Sequence, residues 1–166
     1  MSVHDLLHIY LNDHLAAANA GVTLFRRTTA SHRGTDVGKE LTQLTTEAEE
    51  DMDALRTLMH RLEIEENKAM TALGRIAAEV GRLKPNGFVV RRSPLADVVE
   101  LEGLRDAVAG KIAGWQVLRA VAAHDNRVTR EELETLLERA QDQAERLYRL
   151  HLRVTEQLLD SAEPAA

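Results

Sequence analysis

Residues 37–62, VGKELTQLTTEAEEDMDALRTLMHRL, carry the clearest structural pattern in the chain. Its apolar side chains return every three or four positions, at Val37, Leu41, Leu44, Ala48, Leu55, Leu58 and Leu62. On an α-helix this spacing gives one continuous apolar face, whereas a half-buried strand requires strict alternation. The sequence therefore predicts a long amphipathic helix over about residues 36–63, with Asp51 as a polar residue on its apolar face.

The same spacing recurs in three further segments, over about residues 3–32, 94–124 and 130–160. The connection from the first segment to the second is short, and so is the connection from the third to the fourth. Short connections force consecutive helices to lie antiparallel. We therefore expect an all-α fold, a four-helix bundle made of two antiparallel hairpins.

About 30 residues separate the two hairpins, which is enough chain to travel the length of the bundle. An amphipathic pattern over about residues 65–83 predicts a short helix inside this long crossover. The expected domain is single and covers residues 1–160. The small and polar residues 161–166 are expected to form a disordered tail.

Bulk composition excludes several classes of protein. The net charge of −6 comes with dispersed Lys and Arg, whereas nonspecific nucleic-acid binding needs a basic excess. The absence of cysteine excludes disulfides and thiol chemistry. The start Met1–Asp5 lacks the pattern of a signal peptide, and no apolar run is long enough for a membrane helix. We expect a cytoplasmic protein with neither nucleic acid nor membrane as a partner.

One polar residue interrupts or borders the apolar face of each long helix: His14, Asp51, Glu102 and His151. Counting along the hairpins places His14 within a turn of Asp51 and Glu102 opposite His151. Two interpretations stay open: two polar pairs that fix helix register, or ligands of an iron, manganese or zinc ion, with Glu47 as a further ligand. The same counting separates the two pairs by about two turns, which favours polar pairs over one metal centre.

No pattern of a catalytic or nucleotide site is present. The serines lie at termini and helix ends, no Gly-x-Ser-x-Gly motif occurs, and Gly110-Lys111 lacks the rest of a phosphate loop. Trp115 falls at helical spacing, which indicates a core residue. We expect a non-catalytic protein without a cofactor.

From about Val3 to Leu159, the layout of two antiparallel hairpins and a long crossover resembles the ferritin-like superfamily. The acidic run Glu47-Ala48-Glu49-Glu50-Asp51-Met52-Asp53-Ala54-Leu55 is similar to the second helix of its stress-associated, rubrerythrin-related bacterial members. The resemblance implies a di-iron centre built from a Glu on the first and third helices and Glu-x-x-His on the second and fourth.

This chain departs from that ligand pattern. The first helix offers His14 and Ala18 at its middle, and neither Glu-x-x-His motif is complete, because Asp53 and Tyr148 stand where a His is required. Glu102 alone matches a required residue type. We therefore expect a ferritin-like bundle that has lost its metals and acts through self-association or docking of a partner protein, with metal binding as the alternative.

Overall fold

A computed structural model of the chain describes residues 1–68, 93 and 95–161. It confirms the all-α bundle, and the described residues contain no strand. The four long helices are α1 (Val3–Ser31), α2 (Asp36–Arg61), α3 (Ala96–Val121) and α4 (Arg130–Ser161). The short helix expected over 65–83 lies, from residue 69 onward, outside the described residues, as does the tail from residue 162.

Local sequence explains how α1 and α2 begin and end. The Ser2 hydroxyl accepts from the backbone N–H of Asp5, and the Asp5 carboxylate accepts from the backbone N–H of Ser2, which forms a capping box. Gly34 takes a positive φ of 83° in the turn between the helices, a conformation that glycine adopts without a steric penalty. Thr35 then caps α2 by accepting from the N–H of Gly38.

The first helix of the second hairpin, α3, begins later than the sequence predicts. The third helix was expected to begin at about residue 94, but it begins at Ala96, and its N-cap residue Leu95 makes no side-chain capping bond. Ser93 instead accepts from the N–H of Leu95 at 3.3 Å, so its hydroxyl closes a turn before the helix. At the start of α4 the Thr129 hydroxyl accepts from the N–H of Glu132, which caps the helix.

The helices pack in a square in which each helix has two neighbours. Helix α1 packs against α2 and α3, and α4 packs against α3 and α2. The pairs α1–α3 and α2–α4 are also antiparallel, because early residues of one helix contact late residues of the other. Examples are His14 beside Gly114 and Leu24 beside Gly103, and likewise the ion pairs Glu40–Arg153 and Arg61–Glu132.

The two cross-hairpin contacts differ in closeness. Helices α1 and α3 meet through small residues, since a Cβ on Gly21 would lie 3.4 Å from that of Ala107. Helices α2 and α4 are bridged by long charged side chains, such as Arg146, whose Nη1 lies 2.8 Å from Glu47 Oε1. Helices α1 and α3 are therefore closely packed, whereas charged side chains fill the space between α2 and α4, which we call the polar seam.

The apolar core has two parts, one toward each end of the bundle. Leu11, Leu15 and Trp115 belong to the part at the α1 N-terminus, and Phe25 and Leu41 belong to the other. The partly buried Met52 and Ile112 contact both parts. The middle of the bundle is therefore the level at which apolar packing is interrupted.

A buried asparagine holds the chain as it leaves α2. Asn12 is 2% exposed, and its amide donates to the carbonyl oxygens of His8 and Glu65 at 2.9 and 3.0 Å. Its Oδ1 accepts from the backbone N–H of Asn67 at 2.6 Å. Asn12 thus ties the backbone of Glu65 and Asn67 to α1 and fixes where the crossover begins.

We predict opposite effects for alanine at two glycines. A Cβ at Gly38 would lie 2.1 Å from the carbonyl oxygen of His32, so Gly38→Ala must shift the α1–α2 turn and should cost about 2 kcal/mol of unfolding free energy. A Cβ at Gly110 meets nothing within 4 Å, so Gly110→Ala should stabilise α3 by about 0.5–1 kcal/mol. Urea unfolding measures both, and equal effects of the two substitutions would contradict this packing.

Candidate functional site

A cavity lies between α1, α2 and α3 at the middle of the bundle. It encloses about 180 Å³, and most of its wall is apolar. Its larger apolar residues are Leu11, Val22, Phe25, Met52, Leu55, Val108, Trp115 and Leu118. The polar side chains in the wall are His14, Asp51, Asp106 and Lys111.

Small residues create this space. The wall contains Ala17, Ala18, Gly21, Ala48, Ala107, Gly110 and Gly114, whose short side chains leave the volume unfilled. Ala17, Asp106 and Gly110 are exposed, so the cavity opens to solvent between α1 and α3. The small residues that let these two helices approach closely therefore also form the mouth.

The volume is that of a binding site for one small molecule. A cavity of about 150 Å³ lined by Leu, Ile and Phe holds benzene or xenon. The present cavity is slightly larger and has a few polar groups in an otherwise apolar wall, the usual composition of a small-molecule site.

His14 lies half-buried in this wall. Its ring centroid is 4.4 Å from that of Tyr10, and its Nδ1 lies 3.0 Å from where a Cβ on Gly114 would be. Burial lowers the pKa of His14, and the nearby Asp13 opposes this shift only in part. His14 therefore presents a neutral imidazole at neutral pH.

Asp51 is the most deeply buried charged residue of the described chain, at 1% exposure. Its Oδ2 accepts from Lys111 Nζ at 2.5 Å and from Gln143 Nε2 at 3.1 Å, and its Oδ1 accepts from Arg139. Both carboxylate oxygens thus accept hydrogen bonds from donors on α3 and α4. This full pairing allows an ionised carboxylate to be buried.

Lys111 links the cavity to this carboxylate. Its ammonium donates to Asp51 and also to Gln143 Oε1. Burial lowers the pKa of Lys111, while the neighbouring Asp51 carboxylate opposes the shift. Lys111 is also part of the cavity wall, so the cavity has a polar end at this lysine.

The contacts continue outward along the seam between α2 and α4. Glu47 accepts from Gln143 at 3.1 Å and from Arg146 at 2.8 Å, and Arg139 also donates to Glu50 at 3.0 Å. We call this set the polar cluster: Glu47, Glu50, Asp51, Lys111, Arg139, Gln143 and Arg146. It contains three acidic and three basic side chains, so its net charge is zero.

The two histidine–carboxylate pairs expected from the sequence are wrong. His14 and Asp51 line the same cavity, but they do not lie opposite each other. The hydrogen bond between Thr29 and Thr45 fixes the register of α1 against α2, and in this register His14 and Asp51 are roughly two helical turns apart along the bundle axis. Asp51 pairs with cations instead. In the second hairpin His151 Nδ1 contacts Arg105 at 2.8 Å and not Glu102. Glu102 is exposed, because it follows the buried Leu101 by one residue and each residue of a helix is rotated by about 100° from the one before.

The four candidate ligands therefore do not converge. Among the described residues, no three His, Asp or Glu side chains are placed to share a metal ion. The oxygens of Asp51 already accept from an ammonium, a guanidinium and an amide, and those of Glu47 accept from Gln143 and Arg146. A metal ion at either carboxylate would have to displace these donors.

Sequence reasoning missed Lys111, Arg139 and Gln143. The signal was present, because Lys111 lies three residues after Val108 and four before Trp115, at the spacing of buried positions. Gln143, which is 1% exposed, fits the buried face of α4 in the same way. The apolar neighbours Ile112 and Ala144 fit the helical spacing equally well, so the pattern alone does not show that Lys111 and Gln143 face the core.

Comparison with protein-family models, curated proteins and solved structures found no match to this chain. None of the described helices combines the length and the hydropathy needed to cross a lipid bilayer.

We predict that Asp51→Asn lowers the unfolding free energy by about 3 kcal/mol, since it leaves the largely buried ammonium of Lys111 without its anion and removes one of the two carboxylates that Arg139 contacts. The control is Asp53→Asn in the same acidic run, where the exposed pair with Arg56 is worth about 0.5 kcal/mol. Denaturant unfolding measures the free energy of both variants, and a similarly small loss of unfolding free energy in each would contradict the role given to Asp51.

We predict that His14 makes stability depend on pH. Its folded-state pKa lies below that of the unfolded chain, so the stabilisation is complete above about pH 6.5 and is lost as pH falls below this value. The unfolding free energy should therefore drop less between pH 7.5 and 5 in His14→Gln than in the parent chain. The variant His124→Gln, at an exposed position, should keep the parent profile; an unchanged profile in His14→Gln would refute the assignment.

Proposed function

We propose that this protein is a non-catalytic helical bundle that binds one small, mainly apolar molecule in the cavity between α1, α2 and α3. The observation that carries the proposal is an open cavity of about 180 Å³ whose wall is apolar except at a few defined positions. A molecule built on a single ring or a short branched chain matches this volume.

The apolar wall of the cavity supports binding. Because the cavity opens to solvent between α1 and α3, this apolar wall is in contact with water. A molecule that covers the wall gains about 25 cal/mol for each Å² of apolar surface removed from water, and it adds dispersion contacts.

The polar cluster supports a preformed site. Asp51 ties α2 to α3 through Lys111 and to α4 through Arg139 and Gln143, so the wall that carries these residues is fixed before a ligand arrives. Preorganisation lowers the entropic cost of binding.

Titration with toluene tests this proposal. Trp115 is the single tryptophan of the chain and lies in the cavity wall, so intrinsic fluorescence reports on occupancy. We expect a saturable change in Trp115 emission and a rise in the melting temperature with toluene concentration. No saturable change in either signal would refute the proposal.

A matched pair of variants locates the binding site. Gly110→Leu adds a side chain at the cavity mouth and should weaken toluene binding at least tenfold, whereas Ala109→Leu, at an exposed position outside the wall, should leave it unchanged. Equal binding by the two variants would place the toluene site elsewhere.

The ferritin-like relationship is also a proposal. It is supported by two antiparallel hairpins in which α1 neighbours α3 and α2 neighbours α4. We propose that the bundle works without a resident metal, because the carboxylates of Asp51 and Glu47 are occupied by cationic and amide donors. Stoichiometric iron, manganese or zinc in protein purified without a tag, lost in His14→Ala, would favour metal binding instead.

Self-association is a second candidate function, favoured by one observation. Tyr148, Leu152 and Leu159 are exposed, and their spacing of four and seven residues places them on one face of α4. Glu145 and Arg149 beside this face carry both charge signs, which suits the pairing of two antiparallel copies of the helix. Sedimentation should show a dimer in the parent chain and a monomer in Leu152→Glu; a monomeric parent chain would remove this candidate.

A further inference from the structure

We infer that the molecule bound in the cavity is a cation, with an apolar part inside the cavity and an ammonium group at the mouth beside the carboxylate of Asp106. This inference rests on the proposed function and specifies the class of ligand. Two observations carry it: a wall in which the buried charges already cancel, and a carboxylate at the mouth that has no partner in the described part of the chain.

The interior of the cavity is unsuited to a charged group from a ligand. The charged side chains in its wall are Asp51, Lys111 and Asp106. Lys111 donates to Asp51, and the polar cluster to which both belong is neutral. A further charge of either sign beside this pair would be buried without a counter-ion, which is strongly unfavourable. The charged part of a ligand therefore belongs at the mouth.

Asp106 supplies a negative charge at this mouth. It is exposed, and its carboxylate forms no hydrogen bond or ion pair within the residues that the structure describes. An aspartate side chain is short, so the carboxylate of a residue that lines the mouth lies close to the opening. The local sequence explains why this carboxylate has no partner on α3, because the positions three and four residues away, where a helix forms ion pairs, hold Glu102, Gly103, Ala109 and Gly110.

Helix α1, on the other side of the mouth, offers no cation from the cavity wall either. Its wall residues are apolar apart from His14, and burial lowers the pKa of His14, so the imidazole is neutral at neutral pH. The exposed Asp13 lies four residues before Ala17, so it places a second carboxylate on the same face of α1, one turn from the opening. Asp106 is thus the uncompensated charge of the wall, and Asp13 adds to the negative potential there.

Shape and charge together specify the class of ligand. Ala17 and Gly110 have short side chains, so the approach to the Asp106 carboxylate through the mouth is open. A ring or branched chain inside the cavity removes apolar surface from water, while an ammonium group on a short link stays partly hydrated beside Asp106. An anion at the same place would be repelled by Asp106, and a neutral group would gain no charge attraction from it. A small arylalkyl or alkyl ammonium is the class that this wall and mouth favour.

Three ligands of similar size test the inference by calorimetry at pH 7.5: 2-phenylethylammonium, 2-phenylethanol and phenylacetate. They share a phenyl ring on a short chain and differ in carrying a cation, a neutral polar group or an anion. At low salt we expect the ammonium to bind about fivefold more tightly than the alcohol, as for a well-formed exposed ion pair, and phenylacetate to bind more weakly than the alcohol. High salt should reduce the preference, because the mouth is exposed to solvent. Equal binding of the ammonium and the alcohol, or tighter binding of phenylacetate, would overturn the inference while the proposed function stands.

A matched pair of variants assigns the preference to one carboxylate. Asp106→Asn removes the charge at the mouth and should bring the ratio of the ammonium and alcohol affinities close to one. Asp160→Asn removes an equal charge from an exposed position outside the cavity wall and should keep the ratio, which separates a local ion pair from the effect of the net charge of −6. The assignment is wrong if the ratio survives in Asp106→Asn or falls equally in both variants.

Failure of the proposed function gives a different result. In that case 2-phenylethanol would show no saturable binding to the parent chain. Binding of the ammonium alone, with an affinity that Gly110→Leu leaves unchanged, would indicate an ion pair on the surface outside the cavity. That outcome would overturn the inference together with the proposed function.

Discussion

The buried carboxylate of Asp51 holds three of the four helices together. A carboxylate at 1% exposure needs hydrogen-bond donors on its oxygens, and here the donors come from Lys111 on α3 and from Arg139 and Gln143 on α4. One side chain of α2 thereby fixes the positions of two other helices. Because the donors are long, α2 and α4 stand apart across a polar seam, and the apolar core divides into two parts at this level.

The cavity follows from the same arrangement. On the opposite side of the bundle α1 and α3 meet through Gly21, Ala107 and Gly114, which allow close approach but fill little volume. Small residues on one side and a rigid polar cluster on the other leave a space that the surrounding side chains do not fill. The cavity is therefore a consequence of where the bundle lacks large apolar residues.

Much of the fold could be predicted from sequence, because helix periodicity is a local property. The four helices lie within three residues of their predicted bounds, and Asp51 was recognised as a polar residue on a buried face. The partners of Asp51 could not be predicted, because they depend on the register between α2 and the two later helices, which no local pattern specifies. Glu102 shows the same limit on one helix, since an error of a single position exchanges core for solvent.

The most direct test of the account is a crystal structure of the protein under xenon pressure. Xenon binds preformed apolar cavities without needing a hydrogen bond, so it separates the existence of the site from the identity of its ligand. The account predicts a strong xenon peak between α1, α2 and α3, in contact with Trp115, while the contacts of Asp51 stay unchanged. A cavity closed by its own side chains, with no xenon at this position, would contradict the account.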